Sequence, residues 1–472
     1  MIRLPAPRLP AMDRFGSLIA AAFRRLVPDP FVIAILLTLG TMVAVLLWGT
    51  LPEEHSRLGG MLRAWGSGKG MWSLLAFAMQ MSLILLGGHV LAETRLVRSG
   101  LQRLADLPRT AGGAALMVAA AAAFLGLLNW GLALVAGALL ARETGRSLLR
   151  RGVRAHYPLL AAAGYMGLLV WHGGFSGSAP LAMTSHAGAT KALPNSPDLV
   201  AQICTIPLEQ TILSPLNLVI SGGLLLMLPL LFLLLTPRDM SKYADVSGFL
   251  PDQSTAAESK PDTMTLVDRL NHGWWAGGCL GILLVATAIV MIADTGIGRL
   301  GLNQVIMLLL GMGLLLHRSP AKFTHAAGHA AAGCAGILVQ FPLYAGIMGL
   351  LIASGLAASL TTALVEIATP GTLPLATMVS AGVVNMLVPS GGGQWAVQGP
   401  IALQAGLDAG VAPGSMLMSV AYGDELTNML QPFWALPLLA ITGVRARDIV
   451  GYTCVAMLLA GGWMALWLLV LA

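Results

Sequence analysis

Apolar runs of about 20 residues, the length a helix needs to cross the hydrocarbon core of a bilayer, recur along the whole chain, and short polar segments between them hold nearly all of its charge. Runs at 31–50, 71–92, 216–235, 273–293, 302–316, 331–353 and 449–471 predict continuous crossings. Two more, 157–184 and 416–442, are interrupted, one by His172-Gly-Gly-Phe-Ser-Gly-Ser-Ala-Pro180 and the other by Tyr422-Gly-Asp-Glu-Leu-Thr-Asn428. Glycine, proline and polar residues inside an apolar run predict an unwound centre, which is tolerated only where the backbone is shielded from lipid.

Two apolar stretches do not fit as crossings. Residues 110–141 are too few for two passes, yet both flanks are basic, with Arg95, Arg98, Arg103 and Arg109 before and Arg142, Arg146, Arg150, Arg151 and Arg154 after. Basic loops face the cytoplasm, so a segment basic at both ends enters and leaves on one side. This predicts a re-entrant helical hairpin with Asn129-Trp130-Gly131 near its tip; one long tilted helix is the alternative, and it would reverse every later loop. Residues 373–405 carry Pro389-Ser-Gly-Gly-Gly-Gln394 in the middle, between loops that lack Lys and Arg. They predict a second hairpin, entered from outside.

The first run follows Arg3, Arg8, Arg14, Arg24 and Arg25, and no small-residue cleavage site comes after it. It reads as a retained helix, giving a cytoplasmic N-terminus and an external C-terminus. The loop 51–70 fits less well, being external yet carrying Arg57, Arg63 and Lys69. The organisation expected is a basic cytoplasmic segment (1–30), a first membrane repeat (31–236), a flexible cytoplasmic linker (237–272) and a second repeat with one extra crossing (273–472).

Spacing ties the halves together. Gln80 to Asn129 is 49 residues and Gln340 to Asn385 is 45; Asn129 to Tyr165 is 36 and Asn385 to Tyr422 is 37. Tyr165 to Pro180 and Tyr422 to Pro437 are both 15. The unpaired crossing after the linker turns the second copy upside down. The fold class predicted is therefore an all-α polytopic membrane protein of about nine crossings: two inverted repeats with re-entrant hairpins and discontinuous helices. Secondary transporters are built this way, with binding near the midplane between repeats.

Composition agrees. The chain is 56% hydrophobic and 10% charged, with a mean hydropathy of +0.79, whereas soluble domains carry about 25% charged residues. The net charge of +6 reads as basic cytoplasmic loops rather than a nucleic-acid surface. Four cysteines without CxxC spacing exclude a disulfide scaffold. No ATP-binding loop or HExxH motif occurs, and Gly174-Phe175-Ser176-Gly177 lacks the final glycine and the strand context of a hydrolase elbow. His325 and His329 fall in a basic cytoplasmic loop and read as solvated. Neither an enzyme nor a resident cofactor is expected.

A polar substrate crossing a membrane needs hydrogen-bond donors to compensate for lost water. The spans hold no mid-depth Lys or Arg, so the expected donors are backbone N–H groups at half-helix starts and polar side chains. The substrate-binding candidates are Asn129, Gly173, Gly174, Ser176, Gly177, Ser178, Asn385, Ser390, Gly391, Gly392, Gly393 and Gln394. Asp424 and Glu425 are acids inside a span, which mark function by default. They would hold Na+ together with Asn428 or relay a proton, with His172 as a second proton carrier. The first repeat's break has no acid, so the second-half break is expected to hold the charged cation ligand.

The strings His172 to Leu181, Val388 to Trp395 with Gln398-Gly-Pro400, and Ala421 to Asp424 with Asn428 to Pro437 resemble the short-chain fatty acid transporter family. Pro28-Asp-Pro30, Leu74 to Gln80 and Leu338 to Pro342 also match, from about residue 25 to the C-terminus. One departure is Glu425-Leu426, where the family shows a neutral Gln-Trp pair after the acid. The resemblance implies a multi-pass inner-membrane symporter for butyrate, acetoacetate or similar monocarboxylates, driven by H+ or Na+. It also implies elevator-type domains on a dimeric scaffold. The partners expected are thus the small carboxylate, the lipid bilayer and a second copy of the chain. Alternatives are a cation-coupled dicarboxylate carrier, an ion antiporter of the same superfamily, or a membrane-embedded acyltransferase.

Overall fold

The computed structural model describes residues 28–51, 56–250, 265–296 and 300–472. The five N-terminal arginines and the middle of the linker lie outside the described residues. Every regular element among those described is helical. The first half contains α1 (Pro30–Trp48), α2 (Leu75–Glu93), α3 (Ala111–Leu128), α4 (Trp130–Arg150), α5 (Tyr157–Gly164), α6 (Ser178–Ala182) and α7 (Pro215–Leu235). The second contains α8 (Trp274–Thr295), α9 (Leu302–His317), α10 (Ala335–Ala353), α11 (Leu373–Asn385), α12 (Gly391–Ala409), α13 (Pro413–Thr427), α14 (Pro432–Thr442) and α15 (Ala446–Leu471).

Seven helical stretches among the described residues are long and apolar enough to cross a membrane. With the arm α3 set aside, and with the short α9 and the two broken crossings α5–α6 and α13–α14 added, nine crossings result. Leu36 and Leu39 on α1 and Leu283 and Ile289 on α8 are exposed, as expected where the surrounding solvent is lipid.

Backbone contact at glycines sets the packing. A Cβ on Gly126 of α3 would lie 2.3 Å from Gly167 O, and one on Gly423 of α13 would lie 2.2 Å from Met378 O of α11. Each half thus presses the first arm of its hairpin directly onto its broken crossing. The two contacts are equivalent by position: Gly126 to Gly167 and Gly382 to Gly423 are both 41 residues, and Gly382 lies against Gly423.

The hairpins open at opposite ends. At the base of α3–α4, Ser147 donates to Asp106 and Arg151 Nη1 to Asp106 O at 3.1 Å. The linker docks at this same end: Tyr157 N–H donates to Ala244 O at 3.2 Å, Tyr243 lies 4.4 Å from His156 by ring centroids, and Phe249 lies 5.6 Å from Tyr157. At the far end, Thr50 N–H donates to Ser354 O at 3.0 Å, and Gly414, at the start of α13, lies against Gln210. The second hairpin opens there.

Several sequence expectations are corrected. Loops expected at 51–70, 93–109 and 354–372 contain the helices Arg57–Gly66, Arg95–Ala105 and Leu356–Glu366. The linker, expected to be flexible throughout, buries Val246. The second arm of the first hairpin continues past residue 141 to Arg150. It carries its charges inside because Glu143 Oε1 accepts from both Arg142 Nε at 3.1 Å and Arg146 Nη1 at 3.0 Å. The second break also moves. Residues 422–427 stay helical, and the chain unwinds at 428–431, just before Pro432, which cannot donate to a preceding turn and holds Gln431 extended (φ −84°, ψ 121°).

On a cysteine-free background, single cysteines at the exposed positions Arg109 and Arg150 should react with an impermeant maleimide from one side of the membrane. Those at Gly371 and Asp408 should both react from the other. Labelling of either pair from opposite sides would be incompatible with this hairpin topology.

Candidate functional site

Asn129 ends α3 and starts α4. Its extended backbone breaks the helix (φ −158°, ψ 119°), and its side-chain oxygen caps Leu132 N–H at 3.0 Å, as helix N-caps do. The hairpin tip is stitched onto the first broken crossing: Trp130 N–H donates to Ser176 Oγ at 3.1 Å, and Phe175 N–H to Leu127 O at 2.7 Å. The second tip arrives from the other side. Ser390 caps α12 through Gly393 N–H at 3.2 Å, and a Cβ on Gly391 would lie 2.6 Å from Ser178 Oγ and 3.1 Å from His172 Cε1. Where the tips meet, Ser176, Ser178 and Ser390 are half-buried and Gly392 is exposed, so three hydroxyls and the start of α12 lie together along a partly open seam. Trp171 stacks on His172 (4.4 Å), and Trp130 packs edge-on against Trp171 and Trp434 at 6.1 and 5.2 Å.

Directly beneath lie the two intramembrane acids, buried to 1% exposure or less. An uncompensated acid at this depth costs about 2.5–3.5 kcal/mol on insertion scales. Their partners come from the other repeat. Asp424 Oδ2 lies 2.6 Å from His172 Nδ1. Glu425 Oε2 accepts from the backbone N–H groups of His172 at 2.8 Å and Gly173 at 3.4 Å. Asp424 Oδ1 and Glu425 Oε1 are buried without a hydrogen-bond partner. Tyrosines tie the same elements crosswise. Tyr165 OH donates to Asn428 O at 3.0 Å. Tyr422 OH donates to Asn217 Oδ1 at 3.1 Å, and Asn217 Nδ2 donates to Gly173 O at 2.8 Å.

The structure thus gathers His172, Gly173, Gly174, Ser176, Gly177, Ser178, Ser390, Gly391, Gly392 and Gly393 at one locus, with Asp424 and Glu425 below. Three candidates have structural partners instead. Asn129 Nδ2 donates to Leu300 O, Asn385 Nδ2 to Asp424 O at 2.6 Å, and the fully buried Gln394 to Ala381 O at 2.8 Å and Gln398 at 2.7 Å. The side chains of both acids, which stand on helical turns of α13, reach the first-half break at His172 and Gly173. Around the expected Na+ ligands, Asp424 Oδ1 is buried without a partner. Asn428 Oδ1 accepts from Asn385, its remaining end is an N–H donor without a partner, and one Asp424 oxygen is engaged by His172.

Sequence reasoning passed over Asn217, Trp171 and Trp434. An asparagine inside the apolar run of α7 was the available signal for Asn217; nothing local distinguishes the tryptophans from core residues.

A family model described as short chain fatty acid transporter matches residues 11–471. Two relatives carry the name "Putative short-chain fatty acid transporter". The one from Escherichia coli (strain K12) is 36% identical over 451 residues, covering 95% of this chain and 96% of that protein. The one from Haemophilus influenzae is 33% identical over 448 residues, covering 95% and 97%. Among solved structures, the Alcanivorax borkumensis YdaH transporter aligns with a TM-score of 0.45 at 18% identity, over 94% of this chain and 97% of that one. Neisseria gonorrhoeae MtrF, from a class described as antimetabolite efflux pumps, aligns at 0.42 and 15%, over 97% and 98%.

Removing the Glu425 carboxyl leaves two N–H groups at the break without an acceptor. Each buried unsatisfied group costs about 1–3 kcal/mol. Glu425→Leu should therefore lower the unfolding midpoint in detergent well below that of Glu425→Gln, which keeps an acceptor oxygen. Equal midpoints would contradict the bridging role.

Proposed function

The chain belongs to the short-chain fatty acid transporter family, and from that premise we propose that it is a cation-coupled secondary carrier of short-chain monocarboxylates such as acetoacetate or butyrate. It acts as a symporter in the cytoplasmic membrane, with its N-terminus inside, its C-terminus outside and a second copy as its partner. The observation that carries this reading is the cluster of partly exposed donors in the seam, or groove, where the hairpin tips meet. Its donors are serine hydroxyls and the N–H groups at the start of α12, which suit one carboxylate. The stretches 120–141, 165–185 and 378–432, which build the tips and breaks, contain no Lys or Arg. A second carboxylate would find no second donor set, which disfavours a dicarboxylate. Trp130, half-buried at the first tip, gives a short alkyl or keto chain an apolar surface.

Coupling is assigned to Asp424, Glu425 and His172, because they join the first break to α13 beneath the hairpin tips. A cation that changes the charge there alters the contact between the repeats, and so links occupancy to movement. The inverted hairpins support alternating access by motion of one unit against the other.

Proteoliposomes should accumulate labelled acetoacetate under an imposed cation gradient and exchange it without one. Asp424→Asn should abolish accumulation while exchange persists. Ser176→Ala and Ser390→Ala should raise KM roughly tenfold or more, the worth of a hydrogen bond to a charged group at about 1.5–3 kcal/mol. Undiminished accumulation by Asp424→Asn would place coupling elsewhere, and failure to transport any monocarboxylate would overturn the reading.

A further inference from the structure

The two ring nitrogens of His172 have different partners, and these fix where its proton sits. Ala179 approaches Nε2 with its backbone N–H at 3.3 Å, and a peptide N–H only donates. Nε2 therefore presents its lone pair. The proton of the neutral ring is on Nδ1, directed at Asp424 Oδ2 2.6 Å away. Ser178 Oγ, 3.3 Å from Nε2, points its hydroxyl hydrogen at the same lone pair. A second proton on Nε2 would set one N–H against another. The ring is anchored through Nδ1, so the contacts that must give way are those of the buried Ala179 N–H and of the half-buried Ser178 O–H.

The charges around the ring are all of one sign. Asp424 of α13 meets Nδ1, and Glu425 holds the backbone N–H groups of His172 and Gly173. Tyr422 lies one turn back on the same helix. The other neighbours, Trp171 against the ring face and Gly391 at the second tip, carry no charge. An incoming carboxylate thus meets two carboxyl groups and no fixed cation.

We propose that Nε2 of His172 binds a co-transported proton together with the substrate carboxylate, so that one proton accompanies each monocarboxylate. This rests on the carrier reading above and names its coupling ion. The proton comes from water on the loading side, by way of the Ser178 hydroxyl, and adds to the Nε2 lone pair. The imidazolium supplies the missing positive charge. Ser178 O–H, released from Nε2, turns toward the carboxylate, with the Ser390 hydroxyl across from it. No bond of the substrate changes. On the far side the carboxylate leaves, the proton returns to water, and Ala179 and Ser178 close again on the neutral ring.

The test is proton uptake on binding. Purified protein in detergent, in weakly buffered sodium-free solution at pH 8 with a pH indicator, is titrated with potassium acetoacetate. About one proton should be taken up per anion bound, and the apparent affinity should fall about tenfold per unit rise in pH, as linkage requires. His172→Asn keeps an N–H for Asp424 but has no titratable nitrogen. It should bind at least tenfold more weakly, without proton uptake and without the pH slope. Wild-type binding without proton uptake would overturn the proposal while leaving the carrier reading standing. Persistent uptake by a binding-competent His172→Asn would overturn the histidine site and move the proton to a carboxyl group. Absence of any monocarboxylate binding by wild type would overturn both the proposal and the reading beneath it.

Discussion

Two carboxyl groups buried in a membrane interior without a lysine or arginine nearby must find their partners in the protein itself. In this chain the partners of Asp424 and Glu425 come from the opposite repeat, as one imidazole nitrogen and two backbone N–H groups. The unwound segment after Leu169 supplies exactly what a continuous helix could not, because helical N–H groups past the first turn are already bonded. The break and the acids therefore depend on each other. An unwound backbone in a membrane needs acceptors for its freed N–H groups, and the buried acids need donors.

The rest of the architecture brings these partners to one depth. Glycine contacts press each hairpin arm onto its broken crossing with no side chain between, so the tips can reach the breaks. Tyr165 and Tyr422 then link each repeat to the break of the other, the second through Asn217. The partly exposed serine hydroxyls lie where both tips meet, and the acids lie one layer below. A change of charge on His172 is consequently felt at the groove through Ser178 and Ala179, and between the repeats through Asp424.

Much of this was legible in the sequence, for physical reasons. Apolar runs of membrane length encode crossings. Glycine, proline and serine inside those runs encode breaks, and both tips fall on the segments Asn129-Trp130 and Ser390-Gly391. The extent of α4 was not legible, since Arg142 and Glu143 look like a loop until Glu143 is seen to satisfy two arginines within the helix. The second break was misplaced by a turn because Gly423 reads as a helix breaker, whereas its role is close packing against Met378 O. The pairing of Asp424 with His172 joins residues 252 positions apart, and no local pattern reveals it. For the same reason the partners of Asn129, Asn385 and Gln394 were not legible; an amide's partners depend on what lies across the interface.

A double-mutant cycle between His172→Gln and Asp424→Asn, read from equilibrium unfolding in mixed micelles, measures the joint between the repeats directly. If the pair holds the two breaks together, the single substitutions should be strongly non-additive, with a coupling energy above about 1 kcal/mol, within the range found for residues in one hydrogen-bonded network. Additivity within about 0.5 kcal/mol would mean that the two side chains act independently, and would contradict the account.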